Sequence, residues 1–308
     1  MAELPDVALA LVDLDGTVYV GTRPLPGAVE ALARLRDLGV MVRFVTNTDS
    51  ITPDALVDRL QGMGIPVTTD EVLTPVVLAL QLLGELPAPR LLALASPGIR
   101  DLLAGFLAAP GEPATHVLVC DPSYGAGYEE LDAAFHAVRD GAELLATQVG
   151  RIARRDDGEH LDTGGFVRLL EYATGTHARV LGKPSPDFFR LAIDATGVPP
   201  ERAVMVGDDL AADVAGAQQV GIRAVLVRTG KASDPHTQPP STGPGPGASA
   251  AEAAAPRPDT PAVRPDTEAA GPDIGAARPD TGAAGTHAGA TEPDAVIDGL
   301  ADLPGLVG

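Results

Sequence analysis

The amino-acid sequence predicts an α/β fold in which a doubly wound, mostly parallel sheet carries helices on both faces. Short apolar runs of strand length alternate with longer amphipathic stretches throughout residues 1–231, and this alternation is typical of βα units joined in a parallel sheet. Polar side chains follow directly after several of these runs. Because ligands of such sheets bind beyond the carboxyl ends of the strands, we expect the functional site at that edge.

Each element of the predicted sheet has a local signal. Residues 7–12 are wholly apolar and predict a buried strand, and residues 40–45 predict the next one. Between them, residues 26–38 place apolar side chains at helical spacing. Thr52 followed by Pro53 predicts the start of a second helix, because proline is favoured at the first helical position. Further strands are predicted at residues 91–95, 116–120, 143–146, 178–181, 203–206 and 223–227.

Residues 232–291 differ in composition from everything before them. They consist mainly of Pro, Ala, Gly, Asp and Thr and contain no aromatic residue. The tetrapeptide RPDT recurs within them, but a proline in every unit excludes a helical repeat. We therefore expect a disordered insertion. Residues 292–308 regain an ordered pattern, with an edge strand expected at 295–297 and a short helix after it.

The composition limits the classes of partner and compartment. The formal net charge is −20, whereas a nucleic acid or an anionic membrane requires a basic surface. No apolar run is long enough for a transmembrane helix, and the N-terminal residues lack the pattern of a signal peptide. Cys120 is the only cysteine, which excludes an intrachain disulfide framework and fits a reducing compartment. We expect a cytoplasmic protein without a nucleic-acid or membrane partner.

Two acidic residues follow the first predicted strand, in the stretch LVDLDGTV. Asp13 and Asp15 would be costly in an apolar environment without compensation, and a hard cation is the expected one. After the second strand, Thr46 and Asn47 in FVTNTDS supply a hydroxyl and an amide. Taken singly, the first motif is equally compatible with an ordinary turn, and the second is more typical of a strand-to-helix turn with capping side chains.

Two later motifs add a cation and more carboxylates. Lys183 lies in VLGKPSP at the end of a predicted strand, and VMVGDDLAADVAGA places Asp208, Asp209 and Asp213 after another. Alone, these are typical of an exposed loop lysine and of the acidic bias at a helix N-terminus. Together, the four motifs hold the groups that Mg²⁺-assisted phosphoryl transfer needs, since Mg²⁺ prefers oxygen ligands and a cation must balance the phosphate charge.

The paired aspartates predict a two-step reaction. An aspartate nucleophile that forms an aspartyl-phosphate splits hydrolysis into two easier steps. Asp15 lies two residues after Asp13 in an extended segment, so both side chains are expected on the same side. Asp15 can then donate a proton to the leaving oxygen and later accept one from water.

The order of these motifs resembles the haloacid dehalogenase-like hydrolase superfamily over residues 7–231 and 292–308. The details are similar to its IIA branch, the nitrophenylphosphatase-like enzymes, in DLDGTVYVGTRPLPGAVEAL, FVTNTDS, GKPSPDFF and VGDDLAADVAGAQQVGIRAVLVRTGK. Within that branch, the sequence resembles the phospholysine phosphohistidine inorganic pyrophosphate phosphatases.

The resemblance implies a hydrolase of phosphoric monoesters, and also of phosphoamide or pyrophosphate bonds, with Mg²⁺ as cofactor. It also implies a role for each residue singled out above. These roles are Asp13 as nucleophile and metal ligand, Asp15 as acid/base with a ligating backbone carbonyl, Thr46 and the Asn47 backbone as phosphate-binding groups, Lys183 as the charge-balancing phosphate-binding cation, Asp208 as the third metal ligand, and Asp209 and Asp213 as outer residues that support the site or orient Lys183.

The resemblance further implies an inserted α/β cap domain of the C2 type between the second and third motifs. Residues 74–177 are long enough for it and contain their own strand and helix alternation. The expected organisation is a core at 1–73, the cap at 74–177, a second part of the core at 178–231, the insertion at 232–291, and a return to the core at 292–308. A homodimer formed through the caps is implied by the resemblance alone.

Asp49 departs from the family pattern, because it adds a negative charge beside the second motif. The expected reaction is hydrolysis of a small phosphorylated substrate. A phosphotransferase or mutase on the same scaffold is the alternative, since nothing in the cap sequence decides what attacks the aspartyl-phosphate. A non-catalytic binding module that uses the Pro-Asp-Thr segment is a third hypothesis, against which four intact motifs weigh.

Overall fold

The computed structural model describes residues 3–124, 126–155, 158–230 and 291–307. The predicted disordered insertion, residues 232–291, lies outside this part of the chain except for its last residue. The described residues form two sheets of parallel strands with helices around them.

The strands of the protein are short. Their bounds are Leu9–Val12 (β1), Tyr19–Val20 (β2), Arg23–Pro24 (β3), Met41–Val45 (β4), Val72–Leu73 (β5), Leu91–Leu94 (β6), His116–Val119 (β7), Glu143–Ala146 (β8), Ile152–Arg155 (β9), Gly158–Leu161 (β10), Arg179–Val180 (β11), Ala203–Gly207 (β12), Arg223–Val227 (β13) and Ala295–Ile297 (β14).

The first sheet has the order β14-β13-β12-β1-β4-β5, and its strands all run parallel. In β1, Ala10 and Val12 belong to one apolar cluster while Leu9 and Leu11 belong to another, because successive side chains of a strand face opposite ways. Both faces of the sheet are therefore buried, which confirms the doubly wound α/β fold. The predicted edge strand at the end of the chain is β14.

The helices surround the sheets, and several share one start signal. Helices that begin at a proline after a serine or threonine include α2, whose start was predicted from Thr52 and Pro53, and α7. Thr52 Oγ1 accepts a hydrogen bond from the Ala55 N–H at 3.2 Å and so caps α2. The helices are Ala28–Asp37 (α1), Pro53–Gly62 (α2), Pro75–Glu85 (α3), Pro97–Leu102 (α4), Tyr128–Arg139 (α5), Thr163–Thr174 (α6), Pro186–Asp194 (α7), Gly216–Gln218 (α8) and Pro304–Val307 (α9).

Membrane insertion was not expected from the sequence. In the part of the chain that the structure describes, every helix is too short or too polar to cross a bilayer.

The second sheet has the order β11-β8-β7-β6 and is also parallel. It has apolar clusters of its own, built by α3 and α4 with β6 in one case and by α5 and α6 with β7 in the other. Strands β9 and β10 form a separate antiparallel pair. An α/β domain is thus inserted into the chain between β5 and β12, as the resemblance to the capped hydrolases implied.

The start of the second core segment differs from the sequence-based division. Residues 178–231 were assigned to the first sheet, but β11 pairs with β8 of the second sheet, and Leu181 packs in a cluster of that sheet. A two-residue strand has no periodic signal that assigns it to one sheet or the other. The same reason explains why the sequence analysis missed β2, β3 and β5.

Candidate active site

The carboxyl edge of the first sheet carries the first group of predicted site residues. Because β1, β4 and β12 are parallel neighbours, their carboxyl ends meet at one edge. Asp13 follows β1 directly, Thr46 follows β4, and Asp208 follows β12. All three residues are buried. The fold therefore brings three motifs that are distant in the sequence to a common edge.

Lys183 forms a buried ionic triad with two aspartates. Its Nζ donates to Asp13 Oδ1 and to Asp213 Oδ1, each at 2.6 Å, and its side chain is 3% exposed. Burial by itself would lower the pKa of this ammonium, but the two carboxylates raise the pKa well above its ordinary value. Lys183 is therefore a permanently charged cation inside the protein.

Three carboxylates converge beside this lysine. Oxygens of Asp13, Asp208 and Asp213 lie within 4.8 Å of one another, and all three residues are buried. Burial raises the pKa of Asp213 to about 6, although Lys183 opposes the rise. The predicted ligands were Asp13, Asp15 and Asp208, so this group of carboxylates contains Asp213 in place of Asp15. Asp15 was expected to contribute its backbone carbonyl rather than its carboxylate.

The turn after β12 holds Asp213 in place. The Asp209 N–H donates to Asp213 Oδ2 at 3.0 Å, and a Cβ added at Gly207 would lie 2.1 Å from the same oxygen. Asp209 in turn caps the π-helical turn Leu210–Ala215 by accepting two backbone hydrogen bonds at 3.0 Å. Asp213 thus contacts Lys183 directly, whereas Asp209 supports the backbone that presents Asp213.

Two glycines make room for Asp208. A Cβ would lie 2.4 Å from Asp208 Oδ2 if added at Gly16, and 2.1 Å if added at Gly230. Both glycines have a φ of 88°, which other residues rarely adopt. The Thr229 hydroxyl donates to the Gly16 carbonyl at 2.6 Å. The loop after β13 therefore encloses one side of Asp208. The sequence analysis did not assign this loop to the site, although its residues RTG lie in one of the stretches that carry the resemblance.

Asp15 is exposed, whereas Asp13 is buried. The backbone of Asp15 forms a bridge with Tyr19, and the Gly16 N–H donates to the Tyr19 carbonyl at 2.8 Å. This tight turn directly after β1 places one carboxyl inside the cluster and the other in contact with solvent. An accessible carboxyl is what proton exchange with a leaving group or a water molecule requires.

A chain of polar groups surrounds Thr46. Its Oγ1 lies 2.9 Å from Thr48 Oγ1 and accepts the Thr48 N–H at 3.1 Å. The Tyr19 hydroxyl is hydrogen-bonded to Thr48, and the Arg59 guanidinium lies 4.9 Å from the centroid of the Tyr19 ring. Burial raises the pKa of Tyr19 to about 12 against the opposing charge of Arg59, so this phenol is neutral. Sequence reasoning missed this chain, because Tyr19 and Arg59 lie in separate elements.

Asn47 contacts the backbone of the lysine that belongs to the third motif. Its Nδ2 donates to the Lys183 carbonyl at 2.9 Å, and its Oδ1 accepts the Lys183 N–H at 2.8 Å. The amide side chain is therefore occupied with positioning Lys183. This leaves the phosphate-binding role predicted for Asn47 to its backbone.

Asp49 lies beside the second motif in the sequence, but its side-chain hydrogen bonds are made with the inserted domain. Asp49 Oδ2 accepts from Thr147 Oγ1 at 2.5 Å and from Thr163 Oγ1 at 2.9 Å. Both threonines belong to the inserted domain. Burial raises the pKa of Asp49 to about 7, the hydrogen bond from Thr147 opposes this rise, and Asp162 adds to it.

Family models and curated relatives match this arrangement of motifs. Residues 10–106 match the model described as haloacid dehalogenase-like hydrolase, and residues 180–252 match one described as HAD-hydrolase-like. Human haloacid dehalogenase-like hydrolase domain-containing protein 2 is 40% identical over 231 residues, which are 75% of this chain and 88% of that protein. The chain belongs to the haloacid dehalogenase-like hydrolase family. The family predicted from the order of the four motifs is thereby confirmed, and with it that the protein is an enzyme.

A second relative lies in the group that the motif details resemble. Human phospholysine phosphohistidine inorganic pyrophosphate phosphatase is 36% identical over 241 residues, which are 76% of this chain and 88% of that protein. The similarity of this haloacid dehalogenase-like hydrolase to that group is thus confirmed.

Solved structures of phosphatases share the fold. A 4-nitrophenylphosphatase from Thermotoga maritima has a TM-score of 0.75 at 24% identity and covers 98% of both chains, which supports the fold alone. A glycerol phosphate phosphatase from Mycobacterium tuberculosis, solved in complex with magnesium, has a TM-score of 0.66 at 30% identity. That match covers 72% of this haloacid dehalogenase-like hydrolase and 68% of the other chain.

Proposed function

We propose that the protein is a Mg²⁺-dependent phosphatase that hydrolyses small phosphorylated substrates through an aspartyl-phosphate on Asp13. The observation that carries the proposal is the buried cluster in which Lys183 contacts Asp13 and Asp213 while Asp208 lies beside them. An alternative in which the same scaffold transfers the phosphoryl group to an acceptor other than water has no observation that favours it.

The donor set fits a magnesium ion. The three clustered groups are carboxylates, and hard oxygen ligands are those that Mg²⁺ prefers. Asp13 and Asp208 would hold the ion together with the Asp15 carbonyl, because Asp213 is already engaged by Lys183 and by the Asp209 N–H. When bound, the ion polarises the phosphoryl group and offsets its negative charge.

The residues of the chain supply the remaining chemistry. Asp13 attacks phosphorus. Lys183 donates the hydrogen bond that keeps Asp13 Oδ1 oriented, and its ammonium balances the negative charge of the incoming phosphoryl group. Thr46 and the Asn47 backbone bind phosphoryl oxygens at the adjacent strand end. Asp15 protonates the leaving oxygen, then accepts a proton from the water that cleaves the aspartyl-phosphate.

The relatives suggest the kind of substrate. One is named for phospholysine, phosphohistidine and inorganic pyrophosphate, and a structural neighbour is named for glycerol phosphate. We extend to this chain only the feature these names share, a small phosphorylated molecule. We also keep as proposals the start of the inserted domain at residue 74, a cytoplasmic location and a homodimer.

A substrate panel tests the proposal. The purified full-length chain is assayed for phosphate release from p-nitrophenyl phosphate, glycerol phosphate, phosphoramidate and pyrophosphate, with MgCl₂ and with EDTA. Release that EDTA abolishes and added Mg²⁺ restores supports the proposal. Equal release in EDTA, or none across the panel, contradicts it. Added glycerol that diverts phosphate into a new ester would instead support a phosphotransferase.

Asp15→Asn is expected to trap the intermediate. Asparagine cannot accept the proton of the attacking water, so turnover should fall by about 10²–10⁴-fold. A leaving group that needs no proton, such as p-nitrophenolate, should still depart once per site. We expect a stoichiometric burst of nitrophenolate and a chain heavier by one phosphoryl group in intact-mass spectra. Wild-type turnover without a burst would remove Asp15 from its acid/base role.

Gly230→Ala is expected to weaken magnesium binding. The added Cβ would lie 2.1 Å from Asp208 Oδ2, so the carboxylate must move. Substitutions at residues that contact and orient a metal ligand lower metal affinity by roughly 10–100-fold. The Mg²⁺ concentration for half-maximal activity should rise by that factor. Gly39→Ala is the matched control, since Gly39 has a similar φ of 79° and open space around its Cβ position. An equal rise in both variants would count against a role for the Gly230 contact.

A further inference from the structure

Asp49 joins the loop after β4 to the inserted domain. Its side chain is buried, and its Oδ2 lies within hydrogen-bond distance of the hydroxyl oxygens of Thr147 and Thr163, at 2.5 and 2.9 Å. Thr147 directly follows β8, and Thr163 is the first residue of α6. One carboxyl group therefore holds two separate elements of the inserted domain.

This contact continues to the buried lysine of the site. The Thr147 carbonyl accepts the Gly182 N–H at 2.8 Å, and Asn47 holds the adjacent Lys183 backbone through two hydrogen bonds. A Cβ at Gly182 would lie 2.5 Å from both Asn47 Oδ1 and the Thr147 carbonyl. The stretch that carries Lys183 is thus clamped between Asn47 and Thr147, and Asp49 holds Thr147.

The hydrogen bonds of Thr147 indicate which form of Asp49 fits the junction. A hydroxyl has one proton to donate, but Thr147 Oγ1 has two acceptors in range, Asp49 Oδ2 at 2.5 Å and the Val119 carbonyl at 3.0 Å. A neutral Asp49 resolves this conflict, because it donates to Thr147 and leaves Thr147 free to donate to Val119. Thr163 can still donate to the second lone pair of the Asp49 oxygen.

The surroundings of Asp49 also favour the neutral acid. The carboxyls of Asp121 and Asp162 both raise the pKa of Asp49. The charge of Asp49 would in turn raise the pKa of the Cys120 thiol, which burial already raises. Asp162 already accepts from Gln148 Nε2 at 2.7 Å and from the Thr163 N–H at 2.8 Å, which stabilises its negative charge. Ionisation of Asp49 would place a buried negative charge beside this half-buried carboxyl.

We propose that Asp49 is a positioning residue whose neutral carboxyl couples the inserted domain to the Lys183 loop, so that loss of its proton loosens this loop and lowers activity. The inference rests on the proposed phosphatase function. The carboxyl touches neither substrate nor metal; it acts through Thr147 and Gly182. Because burial raises the pKa of Asp49 to about 7, the coupling is complete in mildly acid solution and is lost as the pH rises through neutrality.

Asp49→Asn separates this role from general stability. The amide is permanently neutral, and its Nδ2, in the place of Asp49 Oδ2, can donate one hydrogen to Thr147 Oγ1 and the other to Thr163 Oγ1. One pH unit above about 7, only about a tenth of wild-type Asp49 is neutral. The ratio of kcat/KM between variant and wild type should therefore rise from near one at pH 6 to about ten at pH 8. Taking the ratio at each pH cancels the titration of other site groups. Asp101→Asn, at an exposed carboxyl of α4, is the matched control and should give a flat ratio.

A second variant tests the route through Thr147. Thr147→Val removes the hydroxyl but keeps the shape, so kcat/KM should fall at pH 6, where the wild-type link is complete. The ratio of kcat/KM between the double variant Thr147→Val/Asp49→Asn and the single variant Thr147→Val should not change with pH, because the two groups act through one contact. Additive effects of the two substitutions would overturn the route.

Thermal unfolding distinguishes failure of this inference from failure of the proposed function. A group whose folded-state pKa is raised stabilises the fold below its unfolded pKa, and that stabilisation is lost as pH rises through the folded value. The Tm of Asp49→Asn minus that of wild type should therefore increase between pH 5 and 8, whether or not any substrate is hydrolysed. A Tm difference that is independent of pH would contradict the claim that Asp49 is neutral in the folded protein. A rising Tm difference with a flat activity ratio overturns the positioning role.

Discussion

Asp13→Asn should reduce Mg²⁺-dependent hydrolysis of p-nitrophenyl phosphate by at least about 10⁴-fold, as loss of a nucleophile does in other hydrolases. The amide is nearly isosteric with the carboxyl, so its Oδ1 can still accept from Lys183, which contacts Asp13 Oδ1 at 2.6 Å, and its Nδ2 can donate to the Thr17 hydroxyl, which lies 3.2 Å from the other oxygen. An amide is a poor nucleophile, however, and cannot form the aspartyl-phosphate. Steady-state kcat is the measurement, and intact-mass spectra should show no phosphorylated chain.

The fold should survive this substitution. Lys183 retains Asp213 as its partner at 2.6 Å, so the buried ammonium keeps a countercharge. Unfolding in urea should confirm a folded protein with a cooperative transition. Asp187→Asn, at an exposed carboxyl of α7 that pairs with Arg190 at 3.1 Å, serves as a control and should keep full activity. Turnover by Asp13→Asn within tenfold of wild type would refute the nucleophile assignment.

Lys183→Met is expected to damage both stability and activity. The substitution leaves two buried carboxylates, Asp13 and Asp213, facing each other without the ammonium that each contacts at 2.6 Å. Removal of one partner from a buried ion pair costs about 3–5 kcal/mol of the free energy of unfolding. Turnover should fall by at least about 10³-fold, because the charge of the phosphoryl group is no longer balanced. Urea unfolding and kcat measure the two effects.

Magnesium should restore part of the lost stability in this variant but not its activity. A divalent cation in the carboxylate cluster reduces the repulsion, but it supplies no hydrogen bond to Asp13 Oδ1. Arg190→Met removes an exposed cation from nearby α7 and should change stability by less than about 1 kcal/mol. A Lys183→Met variant as stable as wild type without Mg²⁺ would show that the buried triad is not the site of charge balance we infer.

Much of the fold followed from local patterns, and the missed two-residue strands share one cause. The strands at Leu9–Val12 and Arg223–Val227 and the cap of α2 by Thr52 have strong local signals in apolar runs and proline placement. Strands of two residues, such as Val72–Leu73, carry too few positions for a period to be recognised. Whether Arg179–Val180 joins the first or the second sheet depends on its ladder to β8, which no local pattern encodes.

The candidate site divides in the same way. Asp13, Lys183 and Asp208 were singled out because each follows an apolar run. The parallel strands of the first sheet bring Asp13 and Asp208 to one edge, whereas Lys183 follows β11 of the second sheet. Thr147 also follows a strand, but no chemical motif marks it. Asp49 was noticed only as a charge beside the second motif, since burial and the two hydroxyl partners are invisible in the sequence.

The sequence by itself determined the α/β class, the family and the set of acidic and basic groups available for chemistry, because these depend on periodicity and on residue types at strand ends. Only the tertiary structure decided how those groups are paired and charged. Lys183 contacts Asp13 and Asp213 rather than solvent, and Asp49 contacts the inserted domain. The physical reason is that burial and long-range hydrogen bonds set the ionisation of a side chain, and both arise from elements that meet only when the chain folds.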